Sequence, residues 1–218
     1  MEELIAGHLA IMDRYDPDKH VQLLVDEWGT WYDVEKGTNP GFLYQQNTMR
    51  DALVASLTLD IFAGHADRLG LCCIAQMVNV LQAMVLTDGA DMFLTPTYHV
   101  FSMYKAHQEA DLVPSFVFAD TVGGVKQVSA SASKKGDTVT LSLSNLHATE
   151  PIEVLIDAAG MEKATAEGVV LTGRMDAHNT FDKPENVKPA VLEGIRTTKR
   201  GLLVTLPACA VATLTLKA

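Results

Sequence analysis

Two hydrophobic rhythms divide this chain, and the change between them near residue 113 restricts its fold more than any other feature. Before that point, apolar residues recur at helical spacing between short apolar runs. Ile5, Leu9 and Met12, with Leu4, Ile11 and Tyr15 on the adjoining row, predict a helix that Tyr15-Asp-Pro-Asp18 ends. A strand is expected from Val21. Beyond the turn signals Gly37-Thr-Asn-Pro-Gly41, the run Tyr44 to Phe62 places Leu53, Val54, Leu57 and Ile61 at helical spacing, and Gly64 closes it. Leu69 to Val80 reads as a parallel strand buried on both faces, and Thr97 to Ala106 as another helix. Helix, strand, helix, strand, helix is the βαβ rhythm of a parallel sheet.

From Val113 onward the pattern alternates with period two. Strands are expected over Val125 to Ala132, Thr138 to Leu143, Ile152 to Asp157, Val169 to Thr172, Leu202 to Leu206 and Val211 to Leu216, separated by Gly, Pro, Asn and Asp turns. The expected fold class is therefore α/β plus all-β. Residues 1–112 would form part of a (β/α)8 barrel, about two βα units, and residues 113–218 an antiparallel, jelly-roll-like β-sandwich. A complete barrel takes about 250 residues. Two units alone leave strand edges and apolar faces open, so a larger whole or a partner is expected.

With 218 residues, of which 48% are hydrophobic, the chain can bury a sizeable core. A net charge of -10 without clustered Lys and Arg argues against nucleic acid as a partner. The N-terminal Met-Glu-Glu-Leu-Ile lacks the basic and apolar pattern of a secretion signal, and no apolar run reaches the length of a membrane span. A soluble, cytoplasmic protein is expected. Cys72, Cys73 and Cys209 have neither disulfide nor metal spacing and read as reduced core residues. The histidines show no paired spacing with carboxylates, so no metal and no cofactor is assigned. Met77, Met84, Met92 and Met103 read as core gap-fillers.

The chemistry concentrates in Val21-Gln-Leu-Leu-Val-Asp-Glu-Trp-Gly-Thr-Trp-Tyr32, where an apolar strand runs into an acidic pair flanked by two tryptophans. An Asp-Glu pair after a strand can simply be a solvated loop or a helix start. Exposed loops seldom carry Trp28, Trp31 and Tyr32 together, however, and aromatics beside a carboxylate suggest sugar binding. Val21, Leu23, Val25 and Glu27 share one parity. If that row faces a barrel interior, Glu27 emerges at the C-terminal mouth, where barrel enzymes keep their catalytic groups.

The motifs Val25-Asp-Glu-Trp-Gly-Thr-Trp-Tyr-Asp33, Asn39-Pro-Gly-Phe-Leu-Tyr-Gln-Gln-Asn47, Arg50-Asp-Ala-Leu-Val-Ala55, Ala75-Gln-Met-Val-Asn-Val80 and Leu94-Thr-Pro-Thr-Tyr-His-Val-Phe101 carry a resemblance. So does Asp176-Ala-His-Asn-Thr-Phe181 in the later part. Together they resemble the C-terminal half of glycoside hydrolase family 51 α-L-arabinofuranosidases, over essentially the whole chain. The resemblance implies a retaining hydrolase that removes terminal arabinofuranosyl groups from arabinoxylan or arabinan oligosaccharides, with Glu27 as nucleophile. It implies that Gln76 binds the arabinose, that Trp31 walls the leaving-group side, and that Trp28 is either wall or core. Without it, Gln76 would read as a core amide. Asn79 and Tyr98 would brace the mouth. The family's acid/base glutamate follows an asparagine on an earlier strand, and no residue here matches it; Glu35 lies in a loop outside the match. The implied partners are the missing N-terminal half, or a homo-oligomer such as the family's hexamers. The alternative is a noncatalytic sandwich protein, binding carbohydrate or assembling, with a remnant α/β segment.

Overall fold

The computed structural model describes residues 1–158 and 165–217. Helix α1 (Glu2–Tyr15) buries Ile5 and Leu9 but leaves Leu4, Ile11 and Tyr15 exposed, so one of its two apolar rows packs and the other meets solvent. After it, Asp16 accepts the backbone N–H groups of Val21 and His20 and pairs at 3.0 Å with the buried Arg68 guanidinium. The Val21 N–H above all holds the Asp16 carboxyl below its ordinary range, with Arg68 adding to it. That turn delivers the chain into strand β1 (Leu23–Trp28).

β1 pairs in parallel with β2 (Leu69–Ile74), and α2 (Met49–Gly64) crosses between them. A capping box starts α2: the Asp51 carboxylate accepts the Thr48 N–H at 2.8 Å, and the Thr48 side chain accepts from the Arg50 N–H. A hairpin follows, β3 (Val85–Asp88) and β4 (Asp91–Leu94), then α3 (Pro96–Tyr104) with proline in its first turn. Leu23, Val25, Trp28, Leu69, Cys72 and Ile74 pack in one core with α2 and α3. On the other face, the register pair Leu24 and Leu71 is exposed.

Three expectations are corrected here. The Leu69–Val80 strand stops at Ile74 and is covered on one face only, because the helices pack on one side of β1 and β2 and leave Leu24 and Leu71 exposed on the other. The β3–β4 hairpin was not expected, although its two-residue loop, Gly89-Ala90, places glycine at φ 57° in the first loop position, where hairpin turns favour it. Met77 and Met92 are exposed rather than filling a core, whereas Met103 is buried.

The later part forms two antiparallel sheets. One has six strands in the order β12-β11-β15-β9-β8-β5: β5 (Asp111–Val113), β8 (Val128–Lys135), β9 (Thr138–Asn145), β11 (Thr165–Thr172), β12 (Ala190–Val191) and β15 (Ala210–Lys217). The other is β10-β14-β13, from β10 (Ile152–Ile156), β13 (Ile195–Thr198) and β14 (Gly201–Leu206). A small ribbon, β6 (Thr121–Val122) and β7 (Val125–Lys126), lies outside both. Leu141, Leu143, Val204, Leu206, Leu214 and Leu216 fill the space between the sheets. β5 pairs with β8, so the six-stranded sheet begins at Asp111.

The outer face of the six-stranded sheet rests on the helices. Leu171, Cys209 and Val211 join the helix core, so the two parts share one apolar interior. Beside that contact runs a buried strip of hydroxyls. Tyr104 donates to Asp60 at 2.8 Å, Ser129 donates to the other Asp60 oxygen, Ser144 donates to Ser56 at 2.9 Å, and His107 bridges Ser133 and Ser142 at 2.7 Å each. Burial pushes the Asp60 carboxyl up to about 6 despite the hydrogen bonds from Ser129, Tyr104 and Ser131, and burial pushes the His107 imidazole down.

Candidate active site

Parallel pairing brings the C-terminal ends of β1 and β2 to one edge, and the ladder continues past them with the Ala75 N–H donating to the Trp28 carbonyl at 2.9 Å. Glu27 leaves β1 at this edge and Gln76 follows β2; both are exposed. The Ala75–Gln76 peptide is cis.

Glu27 reaches the open face by a different route from the expected one. Leu23 and Val25 point to the helices, and strict alternation would place Glu27 under them too. Between the pairs Val25–Cys72 and Trp28–Ile74, however, β1 spends three residues where β2 spends two. This one-residue bulge puts Trp28 on the helix side in place of Glu27 and leaves the carboxylate free.

Trp28 is 5% exposed, edge-on to Phe62 at 5.4 Å and stacked on Phe101 at 6.0 Å. Of the two roles open to it, the core is where it sits, so it does not line the surface beside Glu27. Trp31 is 69% exposed, and Tyr32 carries the Arg50 guanidinium 3.8 Å over its ring. Asn79 braces the hairpin, donating to the Thr87 hydroxyl at 2.9 Å and accepting its N–H at 2.8 Å. Tyr98 is half-buried against His99. Glu35 accepts the Gln46 N–H at 3.1 Å and so ties down its own loop. Among the described residues, no group of three or more His, Cys, Asp and Glu side chains is placed to hold a metal ion.

Residues without an assigned role in the sequence hold this edge together. Gln45, Asp51 and Gln82 are buried around Thr30, and Asn47 donates to the Thr97 hydroxyl at 2.7 Å. The polar run Gln45-Gln46-Asn47-Thr48 ahead of an apolar helix was the available signal. Gly29 is locked by the same packing. At φ 150° it adopts backbone that favours glycine, and a Cβ there would lie 1.7 Å from the Gln82 amide nitrogen. Gly29→Ala is expected to lower stability by about 2 kcal/mol or more, seen as an earlier midpoint in urea unfolding with an unchanged slope.

Comparison with known proteins gives this edge a context. The family described as Alpha-L-arabinofuranosidase C-terminal domain matches residues 26–210. An intracellular exo-alpha-L-arabinofuranosidase of Bacteroides ovatus is 46% identical over 100% of this chain and 44% of its own length. An intracellular exo-alpha-(1->5)-L-arabinofuranosidase of Streptomyces lividans is 25% identical over 89% of this chain and 32% of its own. The crystal structure of the GH51 arabinofuranosidase from Xanthomonas axonopodis pv. citri superposes with a TM-score of 0.91 at 48% identity, over 100% of this chain and 45% of that one. These likenesses place the chain among the glycoside hydrolases. It belongs to the α-L-arabinofuranosidases of glycoside hydrolase family 51 and corresponds to their C-terminal part, spanning under half the length of the relatives named above.

Proposed function

We propose that this chain supplies the nucleophile-bearing part of a retaining exo-α-L-arabinofuranosidase, acting on terminal arabinofuranosyl groups of arabinoxylan or arabinan oligosaccharides. The observation that carries the reading is the Glu27 carboxylate, freed by the bulge at the end of β1, at the same edge as Gln76, which follows the paired strand. In this reading β1, α2, β2 and α3 are the last two βα units of an eight-stranded barrel, and the sandwich is jelly-roll-like. The earlier strands and the acid/base carboxyl come from the length that the relatives carry outside the match, on the same polypeptide or another. The match over residues 26–210 supports the assignment of roles, since it contains Glu27, Trp31 and Gln76.

Glu27 attacks the anomeric carbon and forms an ester to the sugar as the glycosidic C–O bond breaks. The acid/base carboxyl gives its proton to the leaving oxygen, then takes one from water as that water displaces Glu27. The Gln76 amide, which both donates and accepts, binds the arabinose hydroxyls, and the exposed Trp31 indole covers a C–H face on the leaving-group side. The relatives named intracellular support a cytoplasmic setting.

Proton NMR of arabinose released by this chain together with the unmatched portion of the Bacteroides ovatus relative tests the reaction class. The α anomer should form first and mutarotate later. First formation of the β anomer would exclude the covalent route, and binding without release would favour a noncatalytic carbohydrate-binding protein.

A further inference from the structure

We infer that Gln45 and Gln82 are positioning residues, two buried amides that fix the Gly29–Tyr32 segment against the end of β2; the inference rests on the reading that Glu27, Trp31 and Gln76 form the site. Gln45 is engaged at both ends. Its Nε2 donates to the Thr30 carbonyl at 3.3 Å and to the Thr30 hydroxyl at 3.2 Å, and its Oε1 accepts the Tyr32 N–H at 2.9 Å. The same Thr30 carbonyl accepts a longer contact of 3.5 Å from Gln82 Nε2, and the Thr30 hydroxyl donates onward to Asp51 at 3.0 Å.

Gln82 adds a steric contact at Gly29, the residue after β1. Its amide fills the place of the Cβ that Gly29 lacks, and the Ala75 carbonyl lies 3.3 Å from that same point. One side chain therefore packs against the residue after β1, at a point that the carbonyl of the residue before Gln76 also borders. The segments carrying the two glutamines are also tied to each other, by Leu81 N–H to the Leu43 carbonyl at 3.2 Å and Asn47 Nδ2 to the Gln82 carbonyl at 3.3 Å. The result is a closed circuit of residues 29–32, 43–47 and 75–82.

Packing does not account for the Gln82 amide. Gln82 is fully buried, and its Oε1 has no hydrogen-bond partner among the described residues; methionine would fill similar space without leaving an acceptor unpaired. What the amide contributes is the link to Gly29 and Thr30, which lie between Glu27 and Trp31. The clamp thus sets the direction of the indole and its spacing from Gln76. A misplacement of about 1 Å at such a site costs on the order of 10²-fold in rate.

Gln45→Met and Gln82→Met test the inference in two arms. In the chain alone, amide hydrogen exchange of residues 30–32 should quicken about tenfold or more, residues 75–77 should follow in Gln82→Met, and the sandwich strands should be unchanged. With the complementing portion present, kcat on p-nitrophenyl α-L-arabinofuranoside should fall about 10- to 100-fold while KM changes less than about threefold. Unchanged exchange at residues 30–32, or a uniform rise across the whole chain, overturns the clamp. A rise in KM at constant kcat overturns its link to the reaction. The exchange arm uses the chain alone, so it decides the clamp even where the wild-type pair turns over nothing, a result that would count against the assigned reaction instead.

Discussion

Glu27→Ala is expected to lower turnover of p-nitrophenyl α-L-arabinofuranoside by the complemented enzyme at least about 10⁴-fold, since on the proposed role of Glu27 covalent catalysis ends with loss of the attacking oxygen. The fold should tolerate the change. Glu27 is exposed, forms no salt bridge among the described residues, and stands outside the helix core that Trp28 and Val25 fill. Thermal unfolding of the variant should therefore match the wild type within about 0.5 kcal/mol. Added azide should restore part of the turnover, entering the face the carboxylate left and giving the β-linked arabinosyl azide. Retention of more than about one percent of the activity would move the nucleophile elsewhere, with the neighbouring exposed Asp26 the first residue to test.

Asp60→Asn is expected to make the protein more stable at neutral pH, an unusual outcome for a buried hydrogen-bonded residue. The carboxyl sits in the seam between helices and sandwich, where burial pushes it up to about 6 from an ordinary 3.8. Its folded pKa exceeds its unfolded one, so between about pH 4 and 6 the native state holds a proton that the unfolded chain has released. The contribution to stability is full below about pH 4 and is lost as pH rises through about 6. A shift of about two units corresponds to about 3 kcal/mol. Asparagine removes this loss, and Tyr104 and Ser129 can still bond to its side chain. His107 acts in the opposite sense. Burial lowers its pKa, so its contribution is present above about 6.5 and is lost as pH falls. Urea midpoints from pH 4 to 8 separate the two: Asp60→Asn should flatten the decline on the alkaline side of about 4, and His107→Gln should reduce the loss on the acid side. A parallel pH profile in Asp60→Asn and wild type would remove Asp60 as the cause.

Period was the most legible property of the sequence. The first helix, the parallel strand pair, the second helix and all six expected sandwich strands were written in apolar spacing, because each turns a regular row of apolar residues to a core. The position of Glu27 was legible only in part. Its place at a strand end followed from the run Val21–Trp28, but its face did not, since a bulge depends on the partner strand and leaves no mark in the spacing of one chain segment. Trp28 and Trp31 show the same limit. The sequence offered Trp31 as a sugar-binding wall and left Trp28 between wall and core, and the extra residue sends Trp28 inward to Phe62 and Phe101 while Trp31 stays outside.

The supporting shell was the least legible. Gln45, Asp51 and Gln82 meet at Thr30 from segments far apart in the chain, and glutamine carries no periodic signal that distinguishes a buried strut from a surface residue. The seam was hidden for a similar reason. Ser129, Ser131, Ser133, Ser142 and Ser144 alternate with apolar residues as a solvated strand face would, yet this face of β8 and β9 is covered by α2 and the segment after α3.

Leu24 and Leu71 are exposed on the face of β1 and β2 away from the helices, and in the proposed reading the earlier barrel strands cover them and complete the site. Hydrolysis of p-nitrophenyl α-L-arabinofuranoside should be measured for this chain alone, for the unmatched portion of the Bacteroides ovatus relative alone, and for the two together. Nitrophenol should be released only by the mixture, and not when that mixture carries Glu27→Ala, since the proposal places the acid/base group outside these residues. Hydrolysis by this chain alone at the rate of the mixture would contradict it, because the acid/base group would then have to lie within these residues.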